Sequence, residues 1–176
     1  DPGIENSAFF IRGKFNLFKS DFSLLILGFR QNLLLGFDLS GSLGGAGVRL
    51  ETAFVLDKLM DNDFPEELKN NYFRLSLGLD YNFSDWIYGY CEYHFNSPGS
   101  PDTDNYLALT SDNAYLEGSV YLLGEHYISA RVSYLLHPLI PFSALAIYNI
   151  SDKSIIISPS LEYNISENIY LSFGAF

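Results

Sequence analysis

The chain is poor in cysteine and in positively charged residues. Cys91 is its single cysteine, and 10 Lys and Arg residues stand against 21 Asp and Glu residues. One cysteine excludes an intrachain disulfide and a zinc site built from cysteine pairs. The net charge of −11 disfavours nucleic acid as a partner, because no stripe of Lys and Arg is present to neutralise phosphates.

Long hydrophobic runs are also missing. A membrane-spanning helix needs about 20 consecutive, mostly apolar residues, whereas the longest candidates, residues 22–29 and 135–148, are interrupted by Ser, Gly, His or Pro. The sequence therefore predicts no transmembrane helix. The chain is nevertheless 48% hydrophobic, with 13 Tyr, 15 Phe and 14 Gly. Such a composition is typical of a transmembrane β-barrel, in which lipid-facing residues alternate with lumen residues.

Alternation of apolar and polar residues is the strongest pattern in the chain. Residues 72–83 alternate throughout, which predicts a β-strand with two unlike faces. The pattern recurs about ten times, with few helical segments to cover the apolar faces. Strands of about 9 to 11 residues cross a bilayer, and lipid accepts only helices and closed barrels because every backbone amide must be paired. We therefore predict an all-β fold, a transmembrane antiparallel up-and-down β-barrel.

The same pattern gives the strands and the connections of a single domain over residues 1–176. The two long connections, residues 57–71 and 97–125, are expected to be extracellular, with a helical turn starting at Pro65. Gly44 and Gly45 predict a tight hairpin, and Pro159 predicts a bulge within its strand. The predicted strands are residues 7–17, 22–29, 33–42, 47–56, 72–83, 87–96, 126–136, 140–150, 154–164 and 169–176.

Residues 106–123 are compatible with an eleventh strand or with a loop insert. The turn sequence YNFSDWIY at residues 81–88 is echoed by YNISENIY at residues 163–170, and residues 134–140 have the same outline. Turns of one type are expected on one rim, since connections alternate between the rims of an up-and-down barrel. The three similar turns share one rim only if residues 97–125 form a loop that does not cross the barrel wall as a further strand. This favours ten strands.

The two ends of the sequence predict a segment of a larger barrel. No signal peptide precedes Asp1, although an outer-membrane protein must be exported, so a leader was cleaved or the chain begins partway through a longer protein. Phe176 falls on the polar register of its strand, which is a poor match to a terminal assembly signal. The apolar positions of that strand are Ile169, Leu171, Phe173 and Ala175.

Several pieces of the chain resemble one family. The segments LLLGFDLSGSLGGAGVRLETAF and SYLLHPLIPFSALAIYNISDKSIIISPSLEYNISENIYLSFGAF, with the YNFSDW hairpin, resemble Gram-negative outer-membrane porin-like proteins, particularly the large single-chain barrels. The resemblance implies a barrel of more than ten strands in the bacterial outer membrane, in contact with the lipid bilayer and lipopolysaccharide. It also implies passive passage of small solutes, and it carries over no ligand motif.

The polar positions carry charges of both signs. Such residues line a water-filled pore, or they pair across strands and fill a narrow lumen; a barrel of about 14 or more strands leaves a channel. Asp38, Arg49, Glu51 and Arg74 lie on three neighbouring strands and are candidates for a field that selects charged solutes. The predicted lumen-facing residues are Arg12, Lys14, Asp38, Arg49, Glu51, Arg74, Asp80, Glu92, His94, Arg131 and Glu162.

No catalytic residue is predicted. His94 with Glu92, and His126 near Ser129, are the only histidines that suggest a hydrolase, but the sequence has no GxSxG elbow. A triad needs a nucleophile beside the base, and no serine is expected beside His94. We therefore expect a protein that is not an enzyme.

No metal site or cofactor is predicted either. The acidic loops offer oxygen ligands at alternate positions, yet neither matches a calcium-binding loop of twelve residues. Solvated loops are the favoured interpretation; the same loops would also repel anionic solutes or hold divalent ions beside lipopolysaccharide. The acidic positions concerned are Asp57, Asp61, Asp63, Asp102 and Asp104.

Three functions remain open at this stage. The first is a porin-like channel for passive diffusion of small solutes or ions. The second is an anchoring barrel with a closed lumen, whose outer loops bind a protein partner. The third is a soluble lipid-binding barrel, which would turn the apolar face of residues 72–83 inward. Aromatic residues beside the turns favour a membrane, since Tyr81, Phe83 and Tyr163 are placed as an interfacial girdle.

Overall fold

The computed structural model describes residues 7–29, 31–59 and 70–176. All ten predicted strands are present, with ends that differ from the predicted ones by a few residues. The strands are β1 Phe9–Leu17, β2 Ser20–Phe29, β3 Asn32–Leu43, β4 Ala46–Leu56, β5 Tyr72–Asn82, β6 Ile87–Asn96, β7 His126–His137, β8 Ile140–Asn149, β9 Ile155–Ser166 and β10 Ile169–Gly174; two short helices, α1 Tyr106–Leu109 and α2 Asn113–Leu116, lie between β6 and β7.

The strands form one antiparallel up-and-down sheet in the order β1 to β10. Each strand pairs with the next one along the chain, so the topology has no crossover. Within the described ranges, β1 pairs only with β2 and β10 only with β9, and the sheet is therefore open. This confirms an all-β antiparallel architecture with ten strands.

The connections alternate between two rims of the sheet. The turns after β1, β3, β5, β7 and β9 are short and share one rim, while the connections after β2, β4, β6 and β8 share the other. The three similar turn sequences thus lie on one rim, as predicted. Gly44 and Gly45 have φ of 60° and 87°, which confirms a tight hairpin with positive φ at both central residues. Phe18 and Lys19, with φ of 53° and 62°, form a turn of the same kind, so β2 begins earlier than predicted.

The pairing register separates the side chains into an apolar face and a polar face. One row of the apolar face crosses eight strands without a polar interruption, because each member is the direct cross-strand partner of the next. That row is Phe15, Phe22, Leu39, Leu50, Leu77, Tyr93, Ile128 and Tyr148. The neighbouring row on the polar face is Lys14, Ser23, Asp38, Glu51, Ser76, His94, Tyr127 and Asn149.

No described helix packs on the apolar face. Leu24, Leu77 and Leu79 at mid-strand are 53%, 45% and 52% exposed, far above the level of a core residue. No helix in the described part of the chain is both long and apolar enough to span a membrane.

Two expectations about single segments are settled by the structure. Residues 106–123 contain α1 and α2 and make no crossing, which confirms the loop insert over an eleventh strand. The bulge predicted at Pro159 is wrong, since β8 and β9 pair in unbroken register past it. The Pro159 carbonyl accepts a hydrogen bond from Ala175 N at 3.2 Å. Its nitrogen faces the same side, just beyond the end of β10, where a missing donor costs the ladder little.

Candidate functional site

The connection of residues 97–125, here called the 97–125 loop, folds back over the polar face near the rim of the long loops. Ala114 and Val120 of the loop are 7% and 3% exposed and pack against Val55 and Tyr72, which are 3% and 4% exposed. Val55 and Tyr72 are cross-strand partners on the polar face. The loop therefore has a small apolar core of its own against the sheet.

Polar contacts tie the second half of the loop to the strands. Lys58, just after β4, forms an ion pair with Glu117, and the two side chains are only 12% and 23% exposed. Asn32 at the start of β3 donates to the same carboxylate at 3.5 Å. Asn96 at the end of β6 donates from Nδ2 to the carbonyls of Leu122 at 2.9 Å and Gly124 at 3.2 Å.

Tyr115 connects the two ends of the loop by hydrogen bonds. Its hydroxyl lies 2.9 Å from the Leu122 carbonyl and 3.2 Å from the Pro98 carbonyl. Burial raises the pKa of the Tyr115 phenol above its ordinary value, because the charged form is poorly solvated there. The neutral phenol is thus the form that fits the closed loop.

All eleven residues predicted to face the lumen lie on the polar face, by the register of β1 to β10. Two ion pairs link them across strands. Arg12 contacts Asp38 at 2.7 Å, and Arg49 contacts Asp80 at 2.7 Å. Whether the face lines a pore stays a prediction.

The four residues predicted to form an electric field that selects charged solutes differ in their ion pairing. Asp38 and Glu51 face each other directly, and Asp38 is neutralised by Arg12. Arg49 is half exposed and is neutralised by Asp80. Arg74 has no carboxylate within ion-pair distance among the described residues. Arg131 likewise has no ion pair among the described residues and donates to Ser143 Oγ at 3.4 Å, so the polar face combines cross-strand ion pairs with two guanidinium groups that lack one.

Arg74 lies where the loop meets the sheet. Its guanidinium is 5.6 Å from the centre of the Tyr72 ring and 3.4 Å from the Ser119 carbonyl. Arg74 lines three clefts of about 270, 350 and 400 Å³. Its Nε is buried and has no hydrogen-bond partner in the described part of the protein. A buried donor without a partner costs about 1–3 kcal/mol, and more when it is charged.

Asn96 is the cross-strand partner of Arg74 and lines the largest of these three clefts. It is 1% exposed. Its Oδ1 is the other buried side-chain atom that lacks a hydrogen-bond partner in the described ranges. An unused donor and an unused acceptor are thus placed opposite each other on neighbouring strands.

The expectation that no serine lies beside His94 is wrong. Ser76 Oγ lies 2.8 Å from His94 Nδ1, because the two residues are direct partners in the β5–β6 register. Glu92 does not complete a triad in the described geometry, since its carboxylate is engaged by the Tyr90 hydroxyl. The arrangement orients the imidazole toward the cleft without supplying an orienting acid.

The acidic loops have structural contacts of their own. Asp57 is 3% exposed and accepts a hydrogen bond from Asn70 N at 3.2 Å. Asp102 accepts one from Asp104 N at 3.0 Å. The described residues contain no group of three or more potential metal ligands. Asp61, Asp63 and the helical turn predicted from Pro65 lie outside the described residues.

Several residues of this site were not singled out from the sequence. Asn96 closes a predicted strand, and nothing in its alternation shows that a loop folds over it. Lys58 and Glu117 are 59 residues apart, so no local signal links them. The Ser76–His94 pair, in contrast, follows from the register of one hairpin once its turn is placed at residues 83–86.

Comparison with known proteins identifies no relative. No protein-family model, no curated protein and no solved structure matches this chain.

Proposed function

We propose that the ten-strand sheet is part of the wall of a bacterial outer-membrane β-barrel. In this proposal, its polar face lines a porin-like channel for passive diffusion of small solutes or ions. The observation that carries the proposal is the contrast between the faces. One is continuously apolar and has no described layer over it, and the other carries eleven charged or titratable residues on one surface.

Strand length and rim chemistry support a membrane. Strands β1 to β9 contain 9 to 12 residues, the length that a tilted crossing of the bilayer requires. Tyr81 and Phe83 meet edge to face at 5.1 Å beside the short turn after β5. Phe83 also covers Gly89, whose Cβ position would lie 2.7 Å from its ring. Aromatic residues at this level are typical of an interfacial girdle.

The open edges define how the barrel would be completed. An edge strand in lipid would leave backbone donors and acceptors without partners, at several kcal/mol for each group. We therefore propose that β1 and β10 pair with further strands outside the ten described, as the resemblance to large single-chain barrels implies. The short turns would face the periplasm, and the long connections would face outside, near lipopolysaccharide.

The 97–125 loop gives the channel its narrow part. It occupies the polar side of the sheet, so a solute passes between the loop and the facing wall. The contacts of Val120, Tyr115 and Glu117 hold the loop in place, which makes the constriction a fixed feature of the channel.

A closed anchoring barrel is the second candidate, and one observation favours it. The same buried loop core and the cross-strand ion pairs fill space on the polar side. With a barrel of few strands, this filling would close the lumen and leave the outer loops to bind a protein partner.

Planar-bilayer conductance of the full-length protein separates the two candidates. We expect stable open channels, and a conductance that rises when Val120→Asp releases the loop. Leu107→Asp is the matched control, because Leu107 is in the same loop and 83% exposed. A silent bilayer with folded, inserted protein would support the anchoring barrel. Solubility of the folded protein without detergent would refute the membrane proposal and favour a lipid-binding barrel.

A further inference from the structure

We propose that the cleft between strands β2 to β5 and the 97–125 loop binds a small amphipathic anion. Its apolar chain would lie over Leu27 and Leu34, and its carboxylate would lie on the side of Arg74. The role of this site in solute passage rests on the proposed channel. The binding itself requires only the cleft that the described residues form.

One row of the polar face is apolar. Each of its members is the direct cross-strand partner of the next, so the row runs from β1 to β5 without a polar interruption. Lumen-facing positions of a barrel wall are ordinarily polar, and a continuous apolar row on this face therefore indicates contact with something other than water. The row, here called the inner apolar row, is Phe10, Leu27, Leu34, Val55 and Tyr72.

The 97–125 loop covers only one end of the inner apolar row. Val55 and Tyr72 are 3% and 4% exposed beneath the loop. At the other end Phe10 is 71% exposed, and Leu27 and Leu34 between them are partly exposed. A solute can therefore contact Leu27 and Leu34 while the loop stays in place.

A cleft of about 350 Å³ lies along this part of the row, a volume within the range of small-molecule sites. Leu27 and Phe29 line it from β2 and Leu34 lines it from β3, while residues 117–119 line it from the loop. Phe29 is 45% exposed. A hydrocarbon chain placed there would remove apolar surface from water, which is favourable in proportion to the area covered.

Two polar residues of the cleft are already engaged by the protein. Asn32 donates from Nδ2 to Glu117 and accepts at Oδ1 from the Lys58 backbone N–H. The Glu117 carboxylate is also paired with Lys58, so its charge is balanced. An apolar chain would leave these hydrogen bonds intact, whereas a polar uncharged solute would have to compete with them.

Arg74 supplies the charge for the other end of the solute. It lines the cleft from β5, three strands away from Leu27, or about 14 Å across the sheet. It has no carboxylate within ion-pair distance among the described residues, whereas Arg12 and Lys58 are each paired. A carboxylate is the complementary group for a guanidinium. The cleft thus has an apolar end and a cationic end, which match an extended alkyl carboxylate.

Titration calorimetry of the full-length protein in detergent, with a protein-free blank subtracted, tests the proposal. Sodium hexanoate is the probe. Sodium acetate has the same carboxylate without the chain, and 1-hexanol has a similar chain without the charge. We expect saturable binding of hexanoate, weaker binding of hexanol and no saturable binding of acetate. Absence of saturable hexanoate binding, or acetate binding as tight as that of hexanoate, would overturn the proposal.

Two substitutions test the two ends of the site. Leu27→Asn should weaken hexanoate binding about tenfold, because it removes apolar contact. Arg74→Gln should also weaken hexanoate binding about tenfold, through loss of the charged partner, and should leave hexanol binding unchanged. Leu145→Asn is the matched control, since Leu145 lies on the same face in β8 as the cross-strand partner of Arg131; it should leave binding unchanged.

Hexanoate binding in Leu27→Asn that equals binding in the unmodified protein, or an equal loss in Leu145→Asn, would overturn the apolar contact. Equal losses of hexanoate and hexanol in Arg74→Gln would overturn the carboxylate contact. Calorimetry needs no ion flow. Hexanoate binding without conductance would thus refute the channel alone, and conductance without hexanoate binding would refute only this site.

Discussion

Lys58 and Glu117 form an ion pair that joins the end of β4 to the residue after α2. Both side chains are largely shielded from water, so we expect the ion pair to stabilise the packing of the 97–125 loop on the sheet. The small apolar cluster and the hydrogen bonds donated by Asn96 and Arg74 also hold the loop against the sheet.

Glu117→Gln should loosen the loop. The substitution removes the charge that Lys58 faces and leaves the ammonium partly buried, which we expect to cost about 1–3 kcal/mol of local stability. Amide hydrogen exchange of residues 114–120 should then accelerate about tenfold or more. Asp104→Asn, an equal charge change at an exposed position of the same loop, is the control. Equal exchange in the two variants would contradict the role of the ion pair.

Alkaline pH should release the same loop through Tyr115. The pKa of the phenol is raised in the folded protein, so the docked loop binds the proton more tightly than the free loop does. Its stabilisation is therefore complete below the ordinary value of 10.0 and is lost as the pH rises through the folded-state pKa. We expect proteolysis within residues 97–125 to increase above pH 10. In Tyr115→Phe, cleavage should be faster at neutral pH and should show no further increase above pH 10. A step of the same size in that variant would assign it to another group.

Neutralising the cations of the polar face should change ion selectivity. Arg49→Gln frees the carboxylate of Asp80, and Arg74→Gln removes a guanidinium that has no ion pair among the described residues, so the double variant should favour cations more strongly. Reversal potentials in asymmetric salt measure this shift. Lys19→Gln, in the exposed turn after β1, makes a similar charge change outside the strands. Unchanged selectivity in the double variant would refute a field across the lumen.

A Leu→Arg substitution should prevent assembly on the apolar face and leave assembly intact on the polar face. Leu77→Arg places a charge at the middle of the apolar face, at a cost of about 2–4 kcal/mol at the bilayer midplane. Leu145→Arg places it on the polar face, since Leu145 is the cross-strand partner of Arg131. We expect folding of the full-length protein into vesicles, followed by circular dichroism, to fail only for Leu77→Arg. Equal losses in both variants would show that the apolar face does not meet lipid.

The strands and their faces were predictable because alternation is a local signal. In residues 72–83 each position is assigned to a face by its neighbours alone, and the structure keeps that assignment from Phe73 to Tyr81. The turn sequences also predicted the number of strands. YNFSDWIY and YNISENIY were expected on one rim, and a strand within residues 97–125 would have put them on opposite rims. Pro159 was misjudged because its position relative to β10 depends on pairing partners that a single strand does not specify.

The site was less predictable because its contacts are long-range. Alternation placed Arg74 and His94 on the polar face, and the Ser76–His94 pair required in addition the register of the β5–β6 hairpin. The folding of residues 97–125 over that face depends on Val55 and Tyr72, which read only as ordinary strand residues. Lys58 and Glu117 form their ion pair across 59 residues of sequence. Asn96 donates to the carbonyls of Leu122 and Gly124 only when the loop folds over it.

The environment of Cys91 tests the central claim most directly. Cys91 is the single cysteine, is exposed, and lies on the apolar face between Leu79 and Ala130. A fluorophore attached there in the full-length protein in vesicles should be quenched by brominated lipids and shielded from aqueous iodide. The opposite is expected for a label at Leu145→Cys combined with Cys91→Ser. Iodide quenching at Cys91 with no quenching by the lipids would contradict a membrane-facing apolar surface.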